Sequence, residues 1–372
     1  MDISYVVVRH ISLKRKEAFR LSYRVDDKKE PLIIEIHDTE GRVGYGECNA
    51  IAGPWFNEET TGSALYLLKN FLIPALLKKK TVKTPEEFFD ETRWIRRNRM
   101  ARASIDTALW NLYAKEQEKP EYTLLGGTRK TIVGGISIGI QNTPDQLVEK
   151  IRGYLAEGYQ RIKIKIRPGE DIQYVQKVRE VFGDITLSCD ANSAYTLQDI
   201  DRLKELDQYG LSMIEQPLGY DDIVDHAVLQ KKLKTRICLD ESINSVDDAR
   251  RAISIGSCQV INIKVSRVGG LTEAKRIQKL AREHGVPVWC GSTFETGIGS
   301  GHNIAVATLP GYTEPNDIFS TGTFFDENNM VTPPVVIGPD GTVTVSEHEG
   351  TGIEPIPEAL ERHTLQKWEF RA

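Results

Sequence analysis

Three acidic residues stand at equal intervals in the middle of the chain, each directly after a short apolar run. They are Asp190, Glu215 and Asp240. An interval of about 25 residues is what one strand, one helix and their loops occupy in a (β/α) repeat. Each acid is therefore predicted at the carboxyl end of a parallel strand. If the strands are neighbours, the carboxylates converge at a barrel mouth and offer the hard oxygen ligands that Mg²⁺ prefers, poised to stabilise a developing enolate.

An acid at a strand end has a simpler use, which is to cap the helix that follows it. Asp190 could act in this way. Glu215 fits that explanation poorly, because Pro217 interrupts the chain two residues later. Asp240 and Glu241 are adjacent, and the repulsion between their carboxylates is easier to explain with a cation nearby. The pattern therefore favours a metal site.

Residues 161–166 alternate basic and aliphatic side chains with the period of two that indicates a strand. In a barrel strand the isoleucines would face the helices, and Lys163 and Lys165 would point into the interior, where an unpartnered charge is costly. A solvated face is the ordinary explanation for alternating charge. That explanation fails where both faces of a parallel strand are covered, so we expect both lysines in the site.

A third lysine, Lys264, ends another β-rich run, one strand after the last acid. In an eight-stranded barrel, strands two and six lie on opposite sides, so Lys165 and Lys264 would face each other with the metal between them. One could remove a proton from a carbon acid, and the other could donate to the opposite face or stabilise negative charge. A lysine base needs a depressed pKa, which Lys163 and the cation would supply, and Arg267 could act similarly beside Lys264.

The residues around these acids and lysines form motifs that extend along nearly the whole chain. They include Lys163-x-Lys165, Asp190-Ala191-Asn192, Glu215-Gln216-Pro217, Asp240-Glu241-Ser242, Asn262-Ile263-Lys264 with Gly269-Gly270-Leu271, Gly46-Glu47-Cys48, residues 53–60, Ser137-Ile138-Gly139 and residues 295–299. This combination resembles the muconate-lactonizing subgroup of the enolase superfamily, and within it the o-succinylbenzoate synthase and N-succinylamino acid racemase family. Asn111 and residues 121–123 depart from the family pattern.

The resemblance implies roles for the residues already singled out. The three acids would bind Mg²⁺, for which Mn²⁺ can substitute. Lys165 would be the base, with Lys264 opposite it and Lys163 in support, while Glu241 and Arg267 would assist from nearby. Expected substrate contacts are Ser137, Asn192, Gly291 and Ser292 in the barrel and, in a lid that combines apolar cover with a cation for a carboxylate, Phe19, Arg20, Trp55 and Phe56.

The implied chemistry is removal of the α-proton of a small-molecule carboxylate to give an enediolate. A synthase would then expel β-hydroxide to give o-succinylbenzoate, a menaquinone precursor, whereas a racemase would reprotonate the opposite face. Both reactions use the same residues, so the sequence separates them poorly. Another enzyme of the subgroup, such as a cycloisomerase, remains open, as does a metal-independent Schiff-base lysine aldolase. A non-catalytic binding protein has no need of three interior lysines.

Other members of the superfamily are disfavoured by residues that are missing. A mandelate-racemase-like enzyme would carry a histidine at the end of the seventh strand, and residues 288–292 contain none. His302 lies in the next helical stretch, where a packed or surface role is expected. The Asp-x-Asp of dipeptide epimerases is also missing around residues 318–321.

Composition restricts the partners. The chain has 48 basic and 53 acidic residues and a net charge of −5, so we expect neither nucleic acid nor anionic membranes as partners. The start is strand-like and no long apolar run follows, which predicts a cytoplasmic protein. The five cysteines are widely separated, so no disulfide or zinc site is expected. Barrels of this type often assemble, and we expect a homo-oligomer.

The organisation read from periodicity is that of an α/β protein with three parts. Residues 1–130 mix strands and helices and predict an α+β capping domain. Residues 131–322 alternate strands with helices and predict a TIM-type (β/α) barrel, modified as in enolase. Residues 323–372 are predicted to return and pack on the capping domain.

Overall fold

The structure is a computed structural model that describes residues 1–325 and 330–371. Residues 326–329 and 372, which belong to the predicted C-terminal segment, lie outside the described residues. The strands are β1 (Ile3–Ile11), β2 (Leu13–Arg20), β3 (Val25–Lys29), β4 (Leu32–Asp38), β5 (Val43–Cys48), β6 (Thr131–Val133), β7 (Gly135–Ile138), β8 (Arg161–Lys165), β9 (Thr186–Asp190), β10 (Ile214–Glu215), β11 (Ile237–Leu239), β12 (Val260–Ile263), β13 (Val288–Cys290), β14 (Val331–Thr332), β15 (Thr342–Thr344), β16 (Glu354–Pro355) and β17 (Thr364–Arg371).

The helices alternate with the barrel strands from β7 onward and are grouped together in the N-terminal part. They are α1 (Thr61–Leu67), α2 (Ile73–Lys79), α3 (Pro85–Glu91), α4 (Arg99–Glu116), α5 (Glu121–Leu125), α6 (Pro144–Ala156), α7 (Ile172–Phe182), α8 (Ile200–Glu205), α9 (Val224–Gln230), α10 (Val246–Ile255), α11 (Val265–Val268), α12 (Leu271–Glu283), α13 (Gly297–Ala307) and α14 (Pro357–His363). Within the described ranges, no helix is both long enough and apolar enough to cross a membrane.

The barrel is a parallel sheet in the order β13-β12-β11-β10-β9-β8-β7. The alternation in β8 divides its side chains between two surroundings. Ile162 and Ile164 are buried in the large core between strands and helices, while Lys163 and Lys165 take the other face. Together with the N-terminal α+β domain, this confirms the predicted modified (β/α) barrel with a capping domain.

The eighth position of the barrel is closed by an irregular segment, residues 312–317. Tyr312 forms a parallel bridge with Val288 of β13, and Asn316 forms one with Gly134 beside β7. Pro315 has no N–H to donate, so a regular hydrogen-bond ladder cannot form through this segment. The segment nevertheless lies where an eighth strand would, and it carries the next residue, Asp317, to the same end as the other site residues.

The capping domain is built on an antiparallel sheet in the order β17-β1-β4-β5, with α4 packed against it. Gly46 lets the helix approach closely, because a Cβ there would lie 2.1 Å from the carbonyl oxygen of Ser104. The last strand, β17, pairs with β1, so the chain returns to this sheet. The boundaries at residues 130 and 322 stay predictions.

Helix α4 also joins the capping domain to the barrel. Trp110 Nε1 donates to Thr272 Oγ1 of α12 at 2.9 Å, and the Thr272 backbone N–H donates to Asp106 at 3.0 Å. Burial raises the pKa of Asp106 to about 7. These contacts fix the two domains against each other and so fix where the capping domain's loops lie over the barrel.

The hairpin of β2 and β3 leaves the capping sheet and crosses the mouth of the barrel. Its contacts are made with the carboxyl ends of the barrel strands: Ser22 Oγ donates to the Ile166 carbonyl at 3.0 Å, and Lys29 Nζ donates to the Thr293 carbonyl at 2.9 Å. The hairpin therefore covers the cavity at the mouth of the barrel.

Candidate active site

Three buried carboxylates converge at the carboxyl ends of adjacent strands β9, β10 and β11. Asp190 pairs in register with Glu215, and Asp240 directly follows the last residue of β11. One oxygen of each carboxylate lies within 4.8 Å of the others, and all three residues are fully buried. A set made only of hard oxygen donors fits a divalent cation such as Mg²⁺. The equal spacing in the sequence thus corresponds to one cluster that can hold a metal ion.

The three lysines surround this cluster and pair with it. Lys165 Nζ lies 2.5 Å from Asp190, and Lys163 Nζ lies 2.9 Å from Glu215. Lys264, directly after β12, lies 2.7 Å from Asp240. Strands β9, β10 and β11 separate β8 from β12, so Lys165 and Lys264 approach the carboxylates from opposite sides.

The charges of the cluster decide the direction of the lysine pKa values. Burial alone would lower the pKa of Lys264, but the nearby carboxylates, led by Glu215, outweigh burial and raise it. The pKa of Lys163 is raised for the same reason, here chiefly by Asp317. Burial would raise the pKa of Glu215, and the lysines hold it below its usual range. The depression of a lysine pKa that a bound cation would cause stays a prediction.

Arg267 and Glu241 stand beside the cluster in ways that the sequence did not specify. The Arg267 guanidinium contacts Asp240 and donates to the Ile243 carbonyl at 2.9 Å. Burial lowers its pKa to about 9. Arg267 therefore holds a carboxylate, rather than acting on Lys264 alone. Glu241 accepts a hydrogen bond from Asn192 at 3.0 Å, and burial together with Asp190 raises the pKa of Glu241.

Asp317 is a site residue that sequence reasoning missed. It pairs with Lys163 and with Arg161, both at 2.8 Å, and accepts a hydrogen bond from Ser137 at 3.2 Å. Burial would raise its pKa, but these two cations hold it well below its usual range. The sequence does contain one signal for Asp317: it is an acid directly before residues 318–321, at the end of the segment that completes the barrel.

Asn262 belongs to the motif that ends at Lys264, but the sequence did not assign it a role. Its side-chain amide donates to Glu215 at 2.7 Å, so it orients one of the three carboxylates. Gly291, predicted to contact substrate, packs against Asn262 instead, since a Cβ there would lie 2.2 Å from its side-chain oxygen. The close packing of the two residues explains a glycine at the end of β13.

A cavity of about 1100 Å³, including its open mouth, lies between the lysines and the hairpin. Its barrel end is lined by Ser137, Lys163, Lys165, Asn192, Lys264, Ser292 and Asp317. Its lid end is lined by the cations Arg15, Arg24, Lys28 and Lys29, by the acids Asp26, Asp27 and Glu30, and by Tyr23, Trp55 and Phe56, with Thr293 and Phe294 between the two ends. Five of the residues predicted to contact substrate line this cavity: Ser137, Asn192, Ser292, Trp55 and Phe56.

Phe19 and Arg20 do not line this cavity. Phe19 packs on Phe294, with 4.7 Å between ring centroids, and Arg20 donates to Asn142 at 2.6 Å on the far side of the hairpin. The reason is the turn after β2, in which Leu21 bonds to Arg24 and brings Tyr23 and Arg24 over the mouth. The cations that line the lid end of the cavity are therefore residues other than Arg20.

His302 is a packed residue, as expected. It is buried and bonded to Glu121 at 2.9 Å and to the Tyr45 carbonyl at 3.0 Å. The pKa of His302 is raised: burial opposes this shift, and Glu121 outweighs it. All five cysteines are buried as free thiols.

Comparison with known proteins agrees with this geometry. The model of the mandelate racemase / muconate lactonizing enzyme N-terminal domain matches residues 3–126, and the enolase C-terminal domain-like model matches residues 146–359. The o-succinylbenzoate synthase of Geobacillus kaustophilus is 47% identical over 364 residues, which cover 98% of this chain and 96% of that protein. The chain belongs to the enolase superfamily.

Two further similarities place this enolase-superfamily chain more finely. The N-succinylamino acid racemase of an Amycolatopsis species is 39% identical over 368 residues, which cover 99% of both chains. The crystal structure of an enolase-superfamily member from Listeria innocua Clip11262 superimposes with a TM-score of 0.95 at 41% identity, covering 100% of this chain and 99% of that one. The predicted synthase and racemase family is thereby confirmed.

Proposed function

We propose that this chain is a Mg²⁺-dependent o-succinylbenzoate synthase that dehydrates a cyclohexadiene carboxylate, with N-succinylamino acid racemisation as a second activity. The observation that carries the proposal is the placement of Lys165 and Lys264 on opposite sides of one carboxylate cluster. Relatives with both activities in their names support the same pair of reactions.

Asp190, Glu215 and Asp240 are the residues that would hold the ion, and Mn²⁺ offers the same preference for oxygen ligands. When bound, the cation supplies positive charge that offsets the negative charge developing on the substrate carboxylate as the α-proton leaves. The rest of the chemistry belongs to the protein's own side chains.

Lys165 Nζ accepts the α-proton from one face of the substrate. Lys163 and Asp317 hold the surroundings of Lys165 fixed, because Lys163 is bonded to both Glu215 and Asp317. Lys264 faces the other side and stabilises negative charge there or returns a proton. Dehydration can be served by one lysine, which accepts the α-proton and then donates a proton to the departing hydroxide so that water leaves, whereas racemisation needs an acid and a base on opposite faces. The paired lysines meet both requirements.

The lid excludes water from the lysines. Phe56 lies over Lys264, with its ring centroid 5.0 Å from Nζ, and Arg24 lies over the ring of Trp55 at 4.3 Å. Removing water strengthens the electrostatic interactions inside the cavity. This cover is what a carbon-acid reaction requires, since the developing negative charge is then stabilised by fixed groups.

The test is to assay one preparation for both reactions, dehydration of the cyclohexadiene carboxylate and racemisation of N-succinylamino acids. We expect both to require Mg²⁺ or Mn²⁺, and their kcat/KM ratio decides which is the main activity. Racemisation alone would make the chain a racemase, and neither reaction in the presence of metal would contradict the proposal. Trapping of a lysine by borohydride, with activity retained in EDTA, would instead indicate a Schiff-base aldolase.

The predicted cytoplasmic location and homo-oligomeric assembly are part of this proposal. A small-molecule carboxylate substrate needs no binding surface on the protein beyond the cavity. Light scattering on the purified protein measures the assembly directly, and a monomer at micromolar concentration would contradict that part.

A further inference from the structure

Arg15 is a buried cation at the lid end of the cavity. It lies on β2, is 4% exposed, and lines the cavity. Its Nε and Nη1 atoms are buried and have no hydrogen-bond partner in the described part of the chain. A buried guanidinium without such partners is unfavourable in the free protein. The Arg15 guanidinium therefore lacks a hydrogen-bond acceptor that none of the described side chains supplies.

The other two buried arginines near the cavity differ from Arg15 in one respect. Arg161 lies 2.8 Å from Asp317, and Arg267 contacts Asp240, so each has a carboxylate partner. Arg15 has three aromatic rings in place of a carboxylate. Its Cζ lies 4.5 Å from the ring centroid of Phe294, 5.2 Å from that of Phe325 and 5.7 Å from that of Phe19. The rings hold the guanidinium in position but leave its N–H groups free to bind an anion.

Lys29 provides a second cation on the neighbouring strand of the hairpin. It is 4% exposed, and its hydrogen bond is to the Thr293 carbonyl at 2.9 Å. The pKa of Lys29 is lowered to about 8, chiefly by burial; Glu47 and Glu295 oppose the shift by attraction, and like-charge repulsion from Arg15 adds to it. Both of those acids are engaged elsewhere, since Glu47 accepts from Thr296 and Glu295 accepts from Thr293.

The loop after β13 forms the third wall of this region and is held rigidly. Glu295 accepts hydrogen bonds from Ser292 Oγ at 2.5 Å and from the Thr293 backbone N–H at 3.0 Å. Phe294 has a φ of 60°, a left-handed conformation that is rare for a residue with a side chain and that turns its ring toward Arg15. The lid end is therefore a preformed site, and it is separate from the carboxylate cluster at the barrel end.

We propose that Arg15, assisted by Lys29, binds a second carboxylate of the substrate at the lid end, and so makes the enzyme selective for dianionic substrates. The inference rests on the proposed function, because the succinyl group of either substrate ends in a carboxylate remote from the reacting carbon. The substrate would then span the cavity, with one carboxylate at the metal ligands and the other between the hairpin and the loop after β13.

The experiment compares equilibrium binding of two ligands by calorimetry with Mg²⁺ present. N-succinylphenylalanine and N-butyrylphenylalanine have acyl chains of the same length and differ in a terminal carboxylate or methyl group. Wild-type protein should bind the succinyl compound more tightly. Arg15→Met keeps the length and the contacts with the rings, and should weaken succinyl binding by about tenfold to a hundredfold while changing butyryl binding by less than about twofold.

Two further variants separate charge from position. Lys14→Met removes an exposed cation from the adjacent position of β2, which points away from the cavity, and should keep the wild-type preference. Arg15→Lys keeps the charge and should lose less of the preference than Arg15→Met. Arg15→Met should also unfold at a temperature no lower than wild type, since it removes a buried charge whose Nε and Nη1 have no hydrogen-bond partner among the described residues.

The inference is overturned if wild type does not prefer the succinyl ligand, if Arg15→Met keeps the preference, or if it weakens both ligands equally. A lower unfolding temperature for Arg15→Met would also count against it, because the guanidinium would then be satisfied within the protein. Failure of the proposed function is distinguishable, since it appears as absent dehydration and racemisation in wild type whatever the binding preference.

Discussion

At the carboxyl ends of β8 to β12 the buried lysines each touch a carboxylate, whereas at the lid end Arg15 and Lys29 are buried without one among residues 1–325 and 330–371. The barrel end is thus held in place by its own charges before a substrate arrives. At the lid end Arg24 pairs with Asp26 and Lys28 pairs with Glu30, which leaves Arg15 and Lys29 as the buried cations without a direct ion pair among the described residues. The difference indicates that the chemistry is fixed by the barrel strands, while the choice of substrate depends on the hairpin.

Removal of the metal tests the barrel end with the largest expected effect. EDTA should reduce both activities to background, and Mg²⁺ or Mn²⁺ should restore them, because the negative substrate carboxylate needs a cation in order to bind beside three carboxylates that lie within 4.8 Å of one another. Steady-state assays after dialysis measure this. Glu215→Gln, which keeps shape and loses charge, should need far more Mg²⁺ for the same rate. Full activity in EDTA-treated protein would contradict the metal assignment.

Substitution of the two opposed lysines is next in size. Lys165→Met and Lys264→Met should each stop racemisation, with losses of about 10²- to 10⁴-fold, because each lysine serves one face of the substrate. Exchange of the α-proton with deuterated water should be more selective. The Lys264 variant should still exchange the enantiomer that Lys165 faces, and the Lys165 variant should exchange the other.

Proton NMR on each enantiomer separately reads this preference. If both variants exchange the same enantiomer, the two lysines do not serve opposite faces, and the arrangement of β8 and β12 has been misread. Lys163→Met is the matched comparison, since it removes a lysine from the same strand as Lys165 that pairs with Glu215 and Asp317, and it should slow both directions equally.

Asp317→Asn sharpens the comparison, because it makes the barrel end resemble the lid end. It leaves Lys163 and Arg161 without their shared carboxylate and should destabilise the fold by about 3–5 kcal/mol. The pKa of Asp317 is held below its usual range, so its contribution to stability is present above the unfolded value of about 3.9 and is lost as the pH falls below it.

Urea unfolding of wild type and variant between pH 3 and pH 7 measures both effects. The difference in free energy of unfolding should be largest at pH 7 and shrink toward pH 3, since wild type loses the contribution that the variant lacks throughout. A difference that does not depend on pH would show that the loss comes from packing and not from the charge of Asp317.

The barrel end was predictable because of geometry that the sequence records directly. A residue at the end of a parallel strand points to one edge, so equal spacing and a period of two were enough to bring Asp190, Glu215, Asp240 and the lysines together. Asp317 escaped because Pro315 breaks the strand pattern that would have marked it. The raised pKa of Lys264 depends on distances to carboxylates from other strands, which spacing does not give.

The lid end was less predictable, since a hairpin's turn decides which side chains face the cavity. Phe19 is four residues from both Arg15 and Tyr23, and Arg20 is four residues from Arg24, so the sequence gives no period that separates the residues facing the cavity from the others. Arg15 and Phe19 share a face of β2, but the turn at Leu21 sends Arg20 outward and brings Arg24 over the mouth. Only the hairpin's contacts with the barrel settle this.

The smallest expected effect concerns Trp55, which sharpens the distinction between cover and recognition at the lid end. Trp55 is 54% exposed, lines the cavity and lies 4.3 Å from the Arg24 guanidinium, whereas Phe56 is the lid ring that lies over Lys264. Trp55→Ala should therefore raise KM by about threefold to tenfold for succinyl and butyryl substrates alike, because it removes apolar cover that both share. Steady-state kinetics with both substrates reads this, and Tyr66→Ala, an exposed aromatic remote from the cavity, should leave KM unchanged. A loss confined to the succinyl substrate would instead assign Trp55, through Arg24, to recognition of the second carboxylate.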